Sequence, residues 1–501
     1  MDILHHLLSG FSSLFAWVPL LIILAGVMMG ILVGVLPGLS PAMGVALLVP
    51  FSYGMSPLNA MILLVALYSA ANYGGTITAI AINTPGTPSA IVSTFDGYPL
   101  TKQGEPGRAL GASVMSSTIG GLTGTLVLVF FSVPLAKAAL SFGPPEYFAL
   151  AIFGLTIISS LSRGNYIKAF IATLIGLLLN TVGMDPFTGY LRFTFGVTEL
   201  ADGFGFIPAL IGLFALSEIF LSIERTQTAR RIVHKISGKM PSLKEMFRIK
   251  RVILQSSALG TLIGVIPGAG ATIAAFIAYN EAKRTSKHPE KFGQGALEGV
   301  AASGAATSGS VGGALVPLLT LGIPGSAATA VLIGALMLHG LTPGPELFKD
   351  KATIVYGIFA SLFIAYFFML FLGILGNQIW IKIISAPKAL LHPSILAIAV
   401  IGSYAVGNSM FDVWSCLGFG VLGWLLRRYD FPTAPVILGL ILGFLAETNF
   451  RRALLMGDGT IFFTRPVSLA MIILAIVSLF WPIISEFLKK NHTHLDNKIP
   501  K

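Results

Sequence analysis

The chain has 501 residues, of which 54% are hydrophobic and 11% are charged, and its mean hydropathy is +0.84. Soluble domains carry about 25% charged residues and could not bury this much apolar surface, so the composition excludes a soluble fold and indicates a membrane protein. The net charge of +11 is the excess of Lys and Arg expected in cytoplasmic loops, and we expect no nucleic-acid partner. The single cysteine, Cys416, excludes a disulfide within the chain and a cysteine-based metal cluster.

The first apolar run is Phe11–Leu36. No Lys or Arg precedes Trp17, so we predict a retained first span rather than a cleaved signal peptide. Its end, Gly34–Gly44, is interrupted by two prolines and a glycine. Non-helical chain inside a membrane must be buried in protein or line a watery cavity, so this pattern predicts a discontinuous helix or a re-entrant hairpin. A proline kink without a nearby ligand is the alternative.

A second interrupted stretch, Asn72–Ser89, is rich in Gly, Thr, Asn and Pro and begins inside the predicted span Pro57–Ile82. We predict that it contains non-helical chain and lines a substrate site. The polar segment Asp96–Arg108 predicts a loop. Further spans are predicted at Ala109–Phe131, Pro145–Leu161, Tyr166–Val182, Phe206–Ile223, Ile354–Leu375, Pro393–Val406, Met410–Leu426, Pro432–Leu445 and Val467–Phe487.

After the most basic segment, Glu224–Arg251, the chain repeats itself. LVGVLPG at 32–38 matches LIGVIPG at 262–268. A second match follows in the same order and at nearly the same separation: it aligns Gly74, Gly75, Pro85 and Gly86 with Gly312, Gly313, Pro324 and Gly325. Two ordered matches indicate a duplication that contains both interrupted segments.

We therefore predict an all-α polytopic membrane protein with two pseudo-symmetric repeats that contain broken helices or re-entrant hairpins. The second repeat follows the basic, cytoplasmic loop, whereas the start of the first lacks Lys and Arg, so we expect the repeats to be inverted. The predicted organisation is an N-terminal repeat at 1–223, the basic loop at 224–251, a C-terminal repeat at 252–488 and a cytoplasmic tail at 489–501.

Five long motifs carry a resemblance to a known family. They are GVLPGLSPAMG at 34–44, YGGTITAIAINTPGTPSA at 73–90, DGYPLTKQGEPGRALG at 96–111, GVIPGAGATIAAFIAYNEAKR at 264–284 and GGALVPLLTLGIPGSAATAVLIGAL at 312–336. The chain resembles the large transmembrane subunit of the tripartite tricarboxylate transporter (TctA-type) family. The resemblance implies a secondary transporter of the bacterial inner membrane, with a small membrane subunit and a periplasmic solute-binding protein as partners. It also implies a carboxylate substrate, coupling to an ion gradient and no cofactor, in agreement with the absence of a P-loop motif for ATP.

A carboxylate in a low-dielectric region needs many hydrogen-bond donors, and helix N-termini supply free N–H groups with partial positive charge. Each Pro-Gly break precedes a predicted helix start with hydroxyl groups. We predict that the substrate contacts Asn83, Thr84, Pro85, Gly86, Thr87 and Ser89 in the first half, and Gly322, Pro324, Gly325, Ser326 and Thr329 in the second. The alternative is that these small residues only pack helices together.

The other pair of breaks is expected to complete the pocket or to hold the coupling cation, because unwound carbonyl and hydroxyl oxygens suit sodium. The residues concerned are Gly38, Ser40, Gly268, Gly270 and Thr272. The sequence leaves Na⁺ and H⁺ coupling open. A proton carrier would favour a buried carboxylate, and the carboxylates in or beside apolar sequence, which we expect at span ends, are Asp96, Glu146, Glu298 and Glu447.

Two other classes of protein stay open: a passive anion channel and a membrane-embedded enzyme. The chain has neither the GxSxG nor the HExxH pattern that would favour an enzyme. The identity of the carboxylate is also open, because the citrate-like tricarboxylates come from the resemblance, and C4-dicarboxylates or aromatic acids are alternatives. Elsewhere, Arg192 is expected in a solvated loop ion pair, His339 at a span end, and the small-residue run Ser303–Gly313 in tight packing or a polar lining.

Overall fold

The computed structural model describes residues 3–36, 38–161, 166–224, 240–384 and 388–480. It is 81% helical, which confirms the predicted all-α polytopic fold. Within the described residues, eight helices are long and apolar enough to cross a membrane: Trp17–Val35, Pro57–Ile82, Pro106–Ala139, Phe206–Glu224, Leu297–Leu321, Ala352–Gly376, Met410–Arg428 and Ala434–Met456. Residues 225–239 of the predicted basic loop and the predicted tail at 489–501 lie outside the described residues. The inversion of the repeats stays a prediction.

The helices follow one another along the chain. They are α1 (Ile3–Leu14), α2 (Trp17–Val35), α3 (Pro41–Ser52), α4 (Pro57–Ile82), α5 (Ile91–Lys102), α6 (Pro106–Ala139), α7 (Pro144–Leu161), α8 (Tyr166–Asn180), α9 (Phe206–Leu210), α10 (Ser217–Glu224), α11 (Leu243–Arg248), α12 (Lys250–Val265), α13 (Gly270–Thr285), α14 (Leu297–Leu321), α15 (Ala327–Leu338), α16 (Pro345–Asp350), α17 (Ala352–Ile384), α18 (Lys388–Gly407), α19 (Met410–Arg428), α20 (Ala434–Met456), α21 (Ile461–Thr464) and α22 (Pro466–Phe480). A π-helical segment, Ile211–Leu216, connects α9 to α10. Strands β1 (Gly183–Met184) and β2 (Leu191–Arg192) form an antiparallel hairpin.

The predicted first span, Phe11–Leu36, is two helices rather than one. Ala16 is extended, with φ −79° and ψ 152°, and separates α1 from α2. The cause is Pro19, because a proline inside a helix has no N–H to donate and its ring clashes with the carbonyl four residues earlier, here that of Phe15. The chain therefore starts a new helix just before this proline.

The predicted loop Asp96–Arg108 is wrong for most of its length, since α5 continues to Lys102 and α6 begins at Pro106. Asp96 is fully buried inside α5, so its polarity is satisfied by protein and not by water. The stretch Asn72–Ser89 is also more helical than its composition indicates. It stays in α4 through Ile82, and its threonine hydroxyls donate to carbonyls of the same helix, as Thr76 does to Tyr73 at 2.8 Å.

Packing divides the chain into two compact units. Unit 1 contains Met1–Leu140 and Ile207–Trp424, and unit 2 contains Ser141–Phe206 and Leu425–Lys501. Each unit combines an earlier and a later part of the chain. The units therefore group the helices differently from the two repeats predicted from the sequence. The division into repeats at 1–223 and 252–488 therefore stays a prediction.

Within unit 1, the same packing relations occur twice. Helix α2 packs along α4, and its counterpart in the sequence alignment, α12, packs along α14. Helix α4 also packs on α17, and α14 packs on α6. This recurrence supports the duplication, because α2 packs on α4 as their aligned counterparts α12 and α14 pack on each other. It also shows that the two halves interlock, since α4 and α14 each contact a long helix of the opposite half.

Small residues let these helices approach closely. A Cβ at Gly30 of α2 would lie 2.8 Å from the Cβ of Ala70 in α4, and one at Gly264 of α12 would lie 2.8 Å from the Cα of Ser310 in α14. Such contacts place helix backbones against one another, as in other membrane helix pairs. The run Ser303–Gly313 is entirely buried within α14, which agrees with tight packing.

Unit 2 is built on α20, which packs against α7 and α8. The β1–β2 hairpin is joined to α20 by ion pairs. Arg192 lies 2.7 Å from Glu447, and Arg451 lies 2.8 Å from Glu447 and 2.9 Å from Asp185. The Arg192 pair is therefore part of a half-buried network rather than a solvated loop pair, and Glu447 lies inside α20 rather than at its end. Each charge in this network faces an opposite charge, which offsets its desolvation.

The remaining carboxylate expectations differ in outcome. Glu146 and Glu298 lie in the first turns of α7 and α14, as predicted. Acidic side chains are favourable there because they face the positive end of the helix dipole. Asp185, in the loop after α8, accepts backbone hydrogen bonds from Phe187 and Thr188 and pairs with Arg451, and these interactions lower its pKa to about 2.

Candidate functional site

The inner breaks of the two halves have matching backbone geometry. Helix α4 ends at Asn83, with φ 55°, and α14 ends at Gly322, with φ 71°. These residues are counterparts in the repeat alignment, and both adopt the left-handed conformation that ends a helix, which is costly for most side chains but accessible to Gly and Asn. The predicted breaks after both helices are therefore present, and they share one mechanism of termination.

A new helical segment begins directly after each inner break. Ser326 is the N-cap of α15, where its Oγ accepts from the N–H of Thr329 at 3.3 Å and the Thr329 hydroxyl accepts from the N–H of Ser326 at 2.8 Å. This reciprocal capping box fixes the helix start. Thr87 is the N-cap of the 3₁₀ turn Pro88–Ala90 that leads into α5, and its hydroxyl lies 3.2 Å from that of Ser89.

The glycines of the inner breaks lie against the backbones of the outer helices. A Cβ at Gly86 would collide with the carbonyl oxygen of Gly34, and one at Gly325 would lie 2.9 Å from the carbonyl oxygen of Gly264. The two contacts are equivalent in the repeat alignment. The structure therefore gives both glycines a packing role, and Gly86→Leu or Gly325→Leu would disturb the helix contacts whether or not a ligand binds.

The predicted substrate residues differ in accessibility. Asn83 is exposed, and Thr84, Pro85, Gly322 and Ser326 are half-buried. A second group is buried, and it comprises Gly86, Thr87, Ser89, Pro324, Gly325 and Thr329. The first group can offer side-chain or backbone atoms to a ligand in this conformation. The residues of the second group are enclosed by protein at the breaks.

The outer breaks, which follow α2 and α12, adjoin the inner ones. The N–H of Gly268 donates to the carbonyl of Gly325 at 3.0 Å, which joins the two breaks of the second half. In the first half, Gly86 contacts Gly34 at the end of α2, and its N–H donates to the carbonyl of Gly75 at 3.2 Å. Each half thus brings its two breaks together.

The helices that begin at the breaks pair with helices of the opposite half. Helix α15 packs on α3, and the hydroxyl of Ser52 at the end of α3 lies 2.9 Å from Nε2 of His339, which ends α15 as predicted. Two packed helices whose C-termini meet run in the same direction. Their N-termini, at Ser40 and Ser326, therefore lie at the same end of the pair, where the helix dipoles are positive.

The second pair is α5 and α13. The ring of Phe95 contacts the rings of Phe276 and Tyr279, and Asp96, one residue further, accepts from the Tyr279 hydroxyl at 2.9 Å. Helix α13 also contacts the 3₁₀ turn Pro88–Ala90 that leads into α5. The two breaks of each half are thus joined, and the turn after the inner break of the first half contacts α13, the helix that follows the outer break of the second half.

Asp96 of α5 is bonded to the segment just before α14. Its Oδ1 accepts hydrogen bonds from three backbone N–H groups, those of Gly293 at 2.8 Å, Gly295 at 2.9 Å and Ala296 at 2.8 Å. The carboxylate thus satisfies donors just before a helix of the opposite half, as a capping side chain would. Asp96 lies in the middle of α5, which runs from Ile91 to Lys102.

The outer breaks contain the residues predicted to bind a cation. Gly38, Gly268 and Gly270 have φ values of 99°, 80° and 60°, which only glycine adopts without strain. Ser40 caps α3 by accepting from the N–H of Met43 at 3.2 Å, and Thr272 lies in the first turn of α13. Among the described residues, no group of three or more His, Cys, Asp and Glu side chains is placed to hold a metal ion.

Two polar side chains near the breaks were missed by the sequence interpretation. The Oε1 of Glu218 lies 3.8 Å from the position that a Cβ would take at Gly38. Glu218 follows the π-helical segment, a conformation that often marks functional sites, and its signal was an acidic residue inside the apolar run Phe206–Ile223. The hydroxyl of Tyr68, a residue of α4, lies 3.1 Å from Oγ of Ser326. Tyr68 gave no signal in the sequence, because the contact joins residues 258 positions apart.

Comparisons with known proteins agree with this architecture. A protein of Agrobacterium vitis described as "Uncharacterized 52.8 kDa protein in TAR-I ttuC' 3'region" is 37% identical over 474 residues, which cover 94% of each chain. A second protein of the same organism, "Uncharacterized protein in TAR-II ttuC' 3'region", is 38% identical over 220 residues, 44% of this chain and 91% of that one. No solved structure matches the chain. Residues 20–438 match the family described as "Tripartite tricarboxylate transporter TctA family". The chain, as its motifs predicted, belongs to the tripartite tricarboxylate transporter TctA family.

Proposed function

We propose that the chain is the large membrane subunit of a tripartite secondary transporter for tricarboxylates such as citrate, or for related carboxylates. The proposal depends on one feature of the structure, a helix start that follows each of the four breaks. Free N–H groups and positive dipole ends are what an anion with two or three carboxylates requires in a low-dielectric site. Asn83, Thr84 and Ser326 are the partly accessible polar side chains that we assign to the substrate.

Membership of the family supports the rest of the assembly. We propose that a periplasmic solute-binding protein delivers the carboxylate and that a small membrane subunit completes the transporter in the bacterial inner membrane. Transport would need no cofactor, because an ion gradient supplies the free energy. The family is one of transporters, so we assign the chain no enzymatic activity.

We assign the coupling ion to the outer breaks, with Glu218 beside Gly38. Backbone carbonyls that leave helical hydrogen bonding, together with a carboxylate, can coordinate Na⁺. The same carboxylate could carry a proton instead, since an ionisable side chain inside a membrane segment is usually functional. Ser40, Gly268, Gly270 and Thr272 would supply further oxygens for Na⁺.

Reconstitution tests these assignments. The chain, the small subunit and the binding protein are placed in proteoliposomes, and uptake of labelled citrate and succinate is measured under sodium and proton gradients imposed separately. We expect accumulation under one gradient, reduced by Asn83→Ala and Ser326→Ala. Ser361→Ala is the matched control, because the Ser361 hydroxyl donates to Ile358 within α17, at 2.7 Å.

Three results would contradict the proposal. Movement of carboxylate only down its own gradient, without ion dependence, would favour a passive anion channel. No flux of any carboxylate tried would refute the substrate class. Equal loss in the Ser326→Ala and Ser361→Ala proteins would refute the assignment of Ser326 to the substrate.

A further inference from the structure

Tyr68 is a side chain of the first half that reaches the inner break of the second half. It belongs to α4, is 3% exposed, and places its hydroxyl 3.1 Å from Oγ of Ser326. Ser326 is the N-cap of α15 and is half-buried, so it is within reach of a ligand. The inference developed here rests on the proposed function, because it concerns how Ser326 meets a carboxylate.

The neighbours of the Ser326 oxygen limit where its hydroxyl proton can point. Its oxygen accepts from the N–H of Thr329, and the Thr329 hydroxyl donates to the carbonyl of Ser326 at 2.8 Å. If the Tyr68 phenol also donates to Ser326, both acceptor positions of that oxygen are filled. The Ser326 proton is then the group left to donate, either to the Thr329 hydroxyl at 3.2 Å or to a ligand oxygen. A hydroxyl that accepts two hydrogen bonds is also a stronger donor, because chains of hydrogen bonds polarise one another.

This contact breaks the symmetry of the two halves. In the repeat alignment, Ser326 corresponds to Thr87, and Tyr68 corresponds to Ala306, which has no hydroxyl. Thr87 is buried and lies beside Ser89 instead. The two inner breaks are therefore alike in backbone and different in their hydroxyl groups.

We propose that Tyr68 is a positioning residue for substrate selection, which directs the Ser326 proton toward a carboxylate bound at the second inner break. The ligand class is an anion with at least two carboxyl groups, of which one meets the Tyr68-supported hydroxyl and another meets the first-half break. A monocarboxylate would use only one of these positions and would bind less tightly.

A double-mutant cycle in the reconstituted transporter tests this role. Tyr68→Phe removes one oxygen atom, and loss of a single hydrogen bond predicts a KM for the di- or tricarboxylate raised roughly five- to tenfold, with Vmax changed less than about twofold. Ser326→Ala should raise KM by at least as much. The Tyr68→Phe/Ser326→Ala protein should match Ser326→Ala, because Tyr68 acts through Ser326.

Tyr366→Phe is the matched control. Tyr366 is also a buried phenol of unit 1, but its hydroxyl donates to the carbonyl of Ser308 inside α14, at 3.3 Å. Its KM should stay within about twofold of the wild-type value, as expected for a group that does not contact the ligand. A second measurement without transport is the rise in melting temperature on addition of citrate, which should shrink in Tyr68→Phe and Ser326→Ala and persist in Tyr366→Phe.

The outcomes separate this inference from the proposed function. Additive KM effects in the double mutant, or an unchanged KM in Tyr68→Phe, would overturn the role of Tyr68 while leaving a transporter. A Tyr68→Phe protein that does not insert, or that keeps the full citrate-induced rise in melting temperature, would also overturn it. A wild-type protein that neither takes up nor is stabilised by any carboxylate would refute the proposed function itself.

Discussion

Replacement of Asp96 by alanine should destabilise unit 1 strongly. Its carboxylate accepts three backbone N–H groups and the Tyr279 hydroxyl at 2.8–2.9 Å and is 0% exposed. Alanine would remove the acceptor of four donors, and each donor left unsatisfied in a buried site costs about 1–3 kcal/mol. Neighbouring groups relax together, so the full sum is not reached. We expect a loss of about 3–5 kcal/mol, as for other buried charged groups that lose a partner.

Equilibrium unfolding of the purified chain in detergent measures this loss. Asp96→Asn is the matched variant, because its amide oxygen can still accept from the three N–H groups while the negative charge is removed. It should lose about 1–2 kcal/mol, the difference between a charged and a neutral acceptor. The reasoning would be refuted if Asp96→Ala unfolded within about 1 kcal/mol of the wild type, or if the asparagine variant were as unstable as the alanine variant.

Three further predictions concern other parts of the chain. Gly86→Ala and Gly325→Ala should lower the yield of folded, inserted protein because their Cβ atoms would meet backbone atoms of α2 and α12, whereas Gly54→Ala, where nothing lies within 4 Å, should not; equal yields would contradict the packing role. The pKa of Asp185 is about 2 in the folded protein, against about 3.9 in an unfolded chain, so its contribution to stability is complete above about pH 4 and is lost as the pH falls toward 2. The melting temperature of Asp185→Asn should depend less on pH in that window than that of the wild type. Identical pH profiles for the two proteins would contradict this interpretation. Glu218→Gln should abolish the dependence of carboxylate uptake on the coupling gradient, and uptake that still follows the gradient would exclude Glu218 from ion coupling.

The sequence predicted those features that local chemistry decides. Proline and glycine after α2, α4, α12 and α14 predicted the breaks, because these residues end helices wherever they fall in the fold. The repeated motifs predicted that the breaks would match in the two halves. The apolar runs predicted most of the long helices, since length and hydropathy are properties of the segment alone.

Features that depend on distant partners were not predictable in this way. Asp96 looked like a loop residue because its partners at 293–296 are about 200 positions away. Glu447 looked like a span end, yet Arg192 and Arg451 neutralise it inside α20. Composition also could not separate the glycines that pack helices from the hydroxyls that remain accessible. The structure makes that distinction, because it shows the carbonyl oxygen of Gly34 packed against Gly86.

Each half of the chain has a helix packed on a helix of the other half, and this packing limits how unit 1 can move. Helix α15 of the second half is seated on α3 of the first, and α5 of the first is seated on α13 of the second. A motion in which one half rotates against the other would separate both pairs and break the Ser52–His339 and Asp96–Tyr279 contacts at once. The four breaks should therefore move as one rigid body together with any bound ligand. Cross-links placed between α3 and α15 should leave transport intact.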